Sequence, residues 1–383
     1  MALQLPATYA DVAVDVLLRY TDQTNWCATW LLNHIFYHET KAYGRGGFRG
    51  GNRNPSDIKH RAYGDLWKRS PRPLFTLLER AQSDPVREFA AAGLKTDFKA
   101  VLRDVEPAWV VRLAGVPSAV VHEFAVWILQ NVPKFEQGEF RKLGLHEPVL
   151  KLLDSPSAEA AKYAAAYART HARDLSVDAL VKLFGNQHDA VRKLARDLLS
   201  ERDPRKEVGL SAWGRLLEVP GGSEYAAEVL LKAFGAKELT PDWFAERLVS
   251  VSDSAQDFAR KQVLKVHKAA DLGVAFFIGV VKRTTPDGDN HDDITEWAMG
   301  EAAKIGLKGI PTDDLRFLYL YPHSRVPFEG WIDKEKVKLR GLGMDFVKML
   351  AFQPDWDAST WLTAFQAANG EWAKDLSFDD NLA

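Results

Sequence analysis

Apolar residues recur along most of this chain at spacings of three and four positions, and alternating apolar and polar runs are scarce. Such spacing places apolar side chains on one face of an α-helix, whereas a half-buried strand needs strict alternation. The longest apolar run, LGVAFFIGVV (272–281), has ten residues, and a membrane-spanning helix needs about twenty. The pattern therefore predicts an all-α protein with buried helices and no membrane span.

Six segments of the chain resemble one another. Each begins with a small or polar residue and then places a large apolar residue before or among alanines. The segments are SDPVREFAAAGL (83–94), PSAVVHEFAVWIL (117–129), PSAEAAKYAAAYA (156–168), QHDAVRKLARDLL (187–199), GSEYAAEVLLKAF (222–234) and SDSAQDFARKQVL (252–264). Their equivalent apolar residues are Phe89, Phe124, Tyr163, Leu194, Val229 and Phe258. The steps between them are 35, 39, 31, 35 and 29 residues, with a mean of 33.8, which indicates a repeating structural unit.

A further apolar segment precedes each of the six, so each repeat is predicted to be a pair of antiparallel helices. These segments span 74–81, 109–115, 148–155, 179–186, 213–219 and 243–250. A capping side chain stands before a proline at Asp84-Pro85 and at Ser155-Pro156, which is typical of a helix start. One pair of this size cannot bury both of its faces, so successive pairs are expected to stack.

The segment HDAVRKLARDLL (188–199) resembles the repeats of the HEAT and armadillo-like superfamily, and DPVREFAAAGL (84–94) is the next best match. The resemblance extends over roughly residues 66–270. It implies a HEAT-like α-solenoid of stacked antiparallel helix pairs, in which Asp189 and Arg192 help to lock adjacent repeats. Solenoids of this kind mostly bind another molecule, and the resemblance does not say which.

Four parts are expected along the chain. Residues 1–40 form an N-terminal helical cap, 41–65 a basic loop rich in glycine and arginine, 66–270 about six HEAT-like repeats, and 271–383 an irregular C-terminal helical cap region. Terminal units of helical repeat arrays are commonly atypical, because each has only one neighbour to pack against.

The overall charge excludes few classes of function, because 50 basic residues nearly balance 52 acidic ones. A net charge of −2 indicates neither a general nucleic-acid binder nor a membrane-surface binder. The single cysteine, Cys27, excludes an intramolecular disulfide and fits a reducing compartment. The N-terminal sequence lacks the basic region of a signal peptide, so we expect a cytoplasmic protein.

The segment YGRGGFRGGNRNP (43–55) is the most unusual stretch of the chain. Arginines spaced on glycine can follow a phosphate backbone, and nearby aromatic rings can stack on bases. The candidate contact residues are Arg45, Arg49, Arg53 and Arg61. Three interpretations stay open: a basic surface loop with no ligand, an arm that contacts nucleic acid, and a docking site for an acidic protein.

A second set of basic residues lies on two of the predicted second helices. Arg192, Lys193 and Arg196 belong to one helix, and Arg260, Lys261 and Lys265 belong to another. Second helices line the concave surface of HEAT-like solenoids, so these residues would form a basic inner groove. The alternative is an ordinary solvated helix face, and Glu224 and Glu228 on the intervening helix interrupt the stripe.

The candidate metal ligands are Cys27, His34 and His38, because these residues fall within about 40° on one helical face. A zinc site needs a further ligand that the local sequence lacks, and Trp30 and Leu31 share the face, which favours a packed core stripe. The acidic segment PDGDNHDDITE (286–296) fails the EF-hand pattern at its sixth and twelfth positions. Asp293 and Glu296 in it predict a capping box, and we expect no metal and no cofactor.

Catalytic signatures are equally weak. The sequence contains no nucleophile elbow, phosphate-binding loop or dinucleotide fingerprint. Some HEAT-like proteins resemble alkylpurine DNA glycosylases, but their set of tryptophan, arginine and aspartate cannot be aligned with this chain residue by residue. The leading hypothesis is a non-enzymatic scaffold that binds a protein or peptide along its concave face. The alternative is a nucleic-acid-binding solenoid that uses the basic loop and the basic inner helices.

Overall fold

The computed structural model describes residues 8–24, 29–38, 40, 43–44, 47–48, 54–284, 291–306 and 310–320. Every element longer than two residues in these ranges is helical, which confirms the all-α prediction. None of the helices in the same ranges has the length and apolar character needed to cross a membrane. Contacts divide the chain into two compact units, residues 1–201 and residues 202–383.

The first unit contains twelve described α-helices. They are α1 (Tyr9–Leu17), α2 (Trp30–Tyr37), α3 (Gly64–Trp67), α4 (Arg72–Arg80), α5 (Asp84–Asp97), α6 (Lys99–Arg103), α7 (Pro107–Ala114), α8 (Ala119–Asn131), α9 (His146–Lys151), α10 (Ala158–His171), α11 (Val177–Leu183) and α12 (Asp189–Ser200). Short 3₁₀ turns lie at Ile58–His60, Gln137–Glu139 and Leu152–Asp154. The two-residue strands β1 (Tyr43–Gly44) and β2 (Gly47–Phe48) pair antiparallel.

Helices of the first unit pack in pairs, as the apolar pattern predicts. Helix α4 contacts α5, α7 contacts α8, α9 contacts α10, and α11 contacts α12. The second helix of each pair also contacts the next one along the chain, from α5 to α8, α10 and α12. Each second helix therefore buries one side against its own partner and another against its neighbours, which a lone pair could not achieve.

Four hydrogen bonds between successive pairs each span 33 or 34 residues. They are Ser118 Oγ to Asp84 (2.8 Å, 34 residues apart), Ser157 Oγ to Glu123 (2.9 Å, 34 apart), Asn186 Nδ2 to the Leu153 carbonyl (3.0 Å, 33 apart) and His188 Nε2 to the Ser155 carbonyl (2.8 Å, 33 apart). These separations match the predicted mean step of the repeat. The bonds satisfy polar groups at the turns, where unpaired groups would be costly.

The helix starts differ in detail from the sequence prediction. Ser157, not Ser155, caps α10 by accepting a bond from the Ala160 amide, so Pro156 lies before the helix. The hydroxyl of Ser155 is buried instead against the ring of His122, with Oγ and Nδ1 2.8 Å apart. At α5, Asp84 is already the first helical residue. Such shifts of one or two residues are common at helix ends.

Alanines line the contacts of the second helices, and Ala164 of α10 is fully buried. We expect Ala164→Leu to lower the free energy of unfolding by about 1–3 kcal/mol, because the added atoms must displace packed neighbours. Ala166 lies on the exposed side of the same helix, so Ala166→Leu is the matched control and should change stability by less than about 0.5 kcal/mol. Urea denaturation of both full-length variants measures the difference, and equal midpoints would contradict the tight packing.

The segment between α2 and α4 is more ordered than the predicted loop. From residue 54 onward it contains the 3₁₀ turn, a buried Ile58 and the short helix α3. The Ala62 amide donates to the carbonyl of Ile35 in α2 (2.8 Å), and Ala62 is fully buried. Residues 58, 61 and 62 thus pack into the first unit, while residues 54, 56, 59, 63 and 65 are exposed. The prediction of a basic loop over residues 41–65 stays a prediction.

The second unit also consists of paired helices. Its elements are a π-helical turn (Pro204–Val208), α13 (Leu210–Leu217), α14 (Ser223–Ala233), α15 (Pro241–Leu248), α16 (Asp253–Val266), α17 (Ala269–Arg283), α18 (His291–Ile305) and α19 (Thr312–Leu320). Helices α13 and α14, α15 and α16, and α17 and α18 pack as pairs. Gly273, at φ 67°, kinks α17 near its start, and left-handed backbone of this kind favours glycine. The predicted C-terminal segments after residue 320 lie outside the described residues.

Candidate functional site

The structure describes the glycine and arginine segment at its two short strands, where Tyr43 pairs with Phe48, and at residues 54 and 55. Arg45, Arg49 and Arg53, the predicted phosphate contacts, lie outside the described residues. Whether they bind nucleic acid, an acidic protein or nothing stays a prediction.

Arg61 does not contribute to an exposed basic surface. Only 4% of the residue is exposed, and its Nη2 lies 2.6 Å from Oδ2 of Asp97 at the end of α5. Nε and Nη1 of the same guanidinium find no hydrogen-bond acceptor within the described part of the chain. A buried arginine held by one carboxylate has a structural role, so including Arg61 among the binding residues was wrong.

The basic residues of α12 are arranged differently from the role that the resemblance implies. Arg192 contacts the carboxylate of Asp189 and donates to the Asn186 carbonyl at 2.6 Å. Both partners belong to the same helix pair, so these contacts brace one turn and do not join adjacent pairs. Lys193 and Arg196 are exposed on this helix.

The basic residues of α16 lie in the second unit. Arg260 and Lys261 each reach a carboxylate oxygen of Asp257, both at 3.1 Å, and Lys265 is exposed. The hydrogen bond from Lys261, followed by the charges of Lys261 and Arg260, lowers the pKa of Asp257. An intrahelical carboxylate thus offsets part of this positive charge. The basic inner groove that would combine these residues with α12 stays a prediction.

The histidines of α2 belong to a row of aromatic rings. The ring of His34 stacks on Trp30 (centroids 5.8 Å apart) and meets His38 edge to face (4.6 Å), and His38 stacks on Tyr63 (6.0 Å). Burial, and then the charge of His38, lowers the pKa of His34. Trp30 is 59% exposed and Leu31 44% exposed, so the interpretation of this face as packed core is wrong for these two residues.

Metal ligation finds no further support in the described ranges, where no three or more histidine, cysteine, aspartate or glutamate side chains are grouped to hold an ion. Cys27 itself lies outside those ranges. Helix α18 already begins at His291, so Asp293 and Glu296 lie inside the helix and Asp293 is not its N-cap as predicted.

An open cleft of about 220 Å³ lies in the second unit, between α16 and the start of α18. Its lining residues are Asp253, Gln256, Asp257, Arg260, Asp293 and Ile294. Gln256 is buried and donates to the Ser250 carbonyl at 2.5 Å, and Asp257 is held by its own helix. Gln256 thus already has a hydrogen-bond partner, and Asp257 and Arg260 form an ion pair with each other.

The most distinctive arrangement of side chains is on the second helices of the first unit. Three glutamates, one lysine and a half-buried tryptophan lie on α5, α8 and α10, and we call this surface the mixed-charge face. Its residues are Glu88 and Lys95 (α5), Glu123 and Trp127 (α8), and Glu159 (α10). Because three successive helices contribute to it, the face exists only when the pairs stack.

Charges on neighbouring helices shift the pKa of two groups of the mixed-charge face. Burial, then the charges of Asp84 and Glu123, raises the pKa of Glu88. Burial lowers the pKa of Lys95, while Glu123 and Glu159 act in the opposite direction. The carboxylate of Glu123 also accepts a hydrogen bond from the hydroxyl of Ser157 at 2.9 Å. This bond holds the carboxylate at the boundary between two helix pairs.

The ammonium of Lys95 lies against two aromatic rings of the next pair. Its Nζ is 5.5 Å from the ring centroid of Phe124 and 5.3 Å from that of Trp127, and the two rings stack with centroids 6.1 Å apart. Phe124 is fully buried and Trp127 is partly exposed. Attraction between a cation and the ring faces is strengthened where water is partly excluded.

The sequence contains one signal for this face. Glu88 and Glu123 each directly precede the large apolar residue of their repeat, Phe89 and Phe124. Equivalent positions in stacked repeats come close in space, so identical charges there indicate a charged stripe. Lys95 and Trp127 carried no comparable signal, since their contact depends on how α5 and α8 pack.

The raised pKa of Glu88 has a measurable consequence for stability. A carboxyl group that binds its proton more tightly in the folded chain makes folding progressively less favourable as the pH rises from its unfolded pKa through its folded pKa. Glu88→Gln should therefore match the original chain below about pH 4.5 and become the more stable of the two by about pH 7. Urea midpoints across this range measure the difference, and a pH-independent difference would contradict the coupling. Glu123→Gln should lower the pKa of Glu88 but leave it raised by burial.

No protein-family model matches this chain, and neither the curated proteins nor the solved structures contain a match to it.

Proposed function

We propose that this chain is a helical scaffold of stacked HEAT-like helix pairs that binds a protein segment on the mixed-charge face. The observation that supports this proposal is the contact of Lys95 with the rings of Phe124 and Trp127, beside Glu88, Glu123 and Glu159 on the same three second helices. The four hydrogen bonds that each span 33 or 34 residues support the stacked arrangement on which such a face depends.

The composition of the face favours a protein over a nucleic acid. Three carboxylates would repel a phosphate backbone, whose affinity for proteins depends on neutralisation by lysine and arginine. A partly buried tryptophan in contact with a charged group is instead typical of the anchor residues of protein interfaces. The excess of carboxylates indicates a partner segment that presents basic side chains, because complementary charge speeds association and selects the partner.

Position-specific photo-crosslinking in living cells tests this function. A benzophenone amino acid would replace Gln130 of α8 or Lys162 of α10, which are both exposed beside the mixed-charge face. Matched control positions are Lys151 of α9 and Lys182 of α11, which are equally exposed but lie on first helices. The proposal predicts discrete protein adducts from the second-helix positions that resist nuclease and disappear in a Trp127→Ala background.

Two results would contradict the proposed function. Adducts that form equally well from the first-helix positions would place the partner elsewhere, and adducts removed by nuclease would identify a nucleic acid. Fluorescence anisotropy with labelled oligonucleotides provides the complementary measurement, comparing the original chain with an Arg45/Arg49/Arg53→Ser variant at two salt concentrations. Steeply salt-dependent binding that this variant loses would favour the nucleic-acid alternative.

A further inference from the structure

Lys95 is the one cation of the mixed-charge face, and it lies where a partner's cation would be expected. Its Nζ is nearly equidistant from the ring centroids of Phe124 and Trp127, at 5.5 and 5.3 Å. The charges of Glu123 and Glu159, on α8 and α10, act to raise the pKa of the same ammonium without forming an ion pair with it. Two stacked rings beside negative charge attract an ammonium ion of any origin.

We propose that Phe124 and Trp127 form an ammonium-binding site that Lys95 occupies in the free chain, with the charges of Glu123 and Glu159 favouring a cation there, and that a lysine-type ammonium of the partner replaces it. This inference rests on the proposed function for the identity of the partner, but the site itself exists without one. The site accepts a primary ammonium or its methylated forms.

The position of each contributor explains why the site can exchange its occupant. Lys95 comes from α5, whereas the rings and Glu123 belong to α8 and Glu159 belongs to α10. The long, flexible stem of lysine can swing the ammonium into solvent without moving the backbone. The rings and Glu123 are held independently of it, because Phe124 is fully buried and Glu123 accepts the hydroxyl of Ser157.

An ammonium fits this position better than a guanidinium. The available place lies beside both rings at similar distance, which suits a compact charge, whereas a guanidinium is planar and stacks on a single ring face. Methylation would retain the charge and enlarge the apolar surface facing the rings. The partner segment should therefore present a lysine, and its replacement by arginine should weaken binding.

The site can be tested directly in the full-length chain by emptying it. Lys95→Met removes the ammonium and keeps a flexible apolar stem. The probe is tetramethylammonium chloride, with tert-butanol as its neutral analogue and sodium chloride as the ionic-strength control. The readout is the indole ¹H–¹⁵N resonance of Trp127, which a Trp127→Phe variant assigns. The matched control is Lys162→Met, which removes an exposed lysine of α10.

The original chain and Lys162→Met should bind tetramethylammonium at least about tenfold more weakly than Lys95→Met. Adding Glu123→Gln to Lys95→Met should reduce the affinity about tenfold again. An indole resonance that does not move in Lys95→Met, or that moves equally with tert-butanol, would overturn the site. A negative result leaves the crosslinking outcome unaffected, and absent crosslinks leave this titration unaffected, so the two proposals fail separately.

If Lys95→Met does not fold, a second measurement tests whether the ammonium of Lys95 occupies the ring site. The ring currents of Phe124 and Trp127 should shift the ε-methylene resonances of Lys95 upfield in the original chain. Glu123→Gln/Glu159→Gln should release the ammonium and move these resonances toward the values of exposed lysines. Unshifted resonances in the original chain would show that Lys95 does not occupy the rings.

Discussion

Replacing Asp97 with alanine is expected to cost about 3–5 kcal/mol of unfolding free energy, one of the two largest losses that we predict for a single substitution. The side chain of Arg61 is 3% exposed and that of Asp97 11% exposed, and their closest atoms lie 2.6 Å apart. Without Asp97, the guanidinium keeps its buried charge and loses its only carboxylate partner in the described structure. Removing a negative charge from the C-terminal end of α5 is favourable by only about 0.3–1 kcal/mol and does not offset this cost.

Urea denaturation of the full-length chain measures this effect. Asp65→Asn is the matched control, since the Lys68–Asp65 pair is solvent-exposed and should contribute about 0–1 kcal/mol. The double substitution Arg61→Met/Asp97→Leu should recover much of the loss, because it leaves no buried charge without a partner. An Asp97→Ala variant within about 1 kcal/mol of the original chain would show that Arg61 is solvated.

Phe89→Ala is expected to have a similar effect, about 3–5 kcal/mol, for a different physical reason. Phe89 of α5 is fully buried, stacks on Phe36 of α2 (centroids 4.5 Å apart) and meets the edge of Trp67 of α3 (5.1 Å). Three helices therefore converge on one ring. Truncation removes apolar burial from all of them and leaves a cavity that the rigid neighbours cannot fill.

The loss of stability caused by Phe89→Ala should be largest in the N-terminal helices. Hydrogen exchange should accelerate in α2 and α3 more than in α11 and α12, which lie outside the contacts of Phe89. A double-mutant cycle with Phe36→Ala should show a coupling of about 0.5–1.5 kcal/mol between the two rings. Val101→Ala, at a 39% exposed position in α6, is the control and should change stability by less than about 0.5 kcal/mol. Uniformly faster exchange would contradict a local role for Phe89.

The helices and their pairing could be predicted because they depend on short-range patterns. Apolar residues at helical spacing identified α4, α5, α7 and α8 within a few residues of their observed ends. The repeat step was visible for the same reason, since each pair must present equivalent residues to the next. Helix ends were less predictable at α10, where Ser155 and Ser157 compete as caps and only packing against His122 decides between them.

The candidate site was less accessible to sequence reasoning. Arg61 stands among basic residues that are similar in sequence, and only its distant partner Asp97, 36 residues further on, distinguishes it as buried. Lys95 likewise contacts rings in the following pair. Ionic and cation–ring contacts at such separations depend on the packing of elements, which local composition does not encode.

The sequence by itself therefore determined the helical class and the approximate positions of the helices, because each follows from residues within one or two turns. Only the tertiary structure decided which charged residues are buried, which are paired within a helix and which meet across α5, α8 and α10. Charge depends on its surroundings, since the same arginine or lysine is a surface ligand in water and a structural group beside a buried carboxylate.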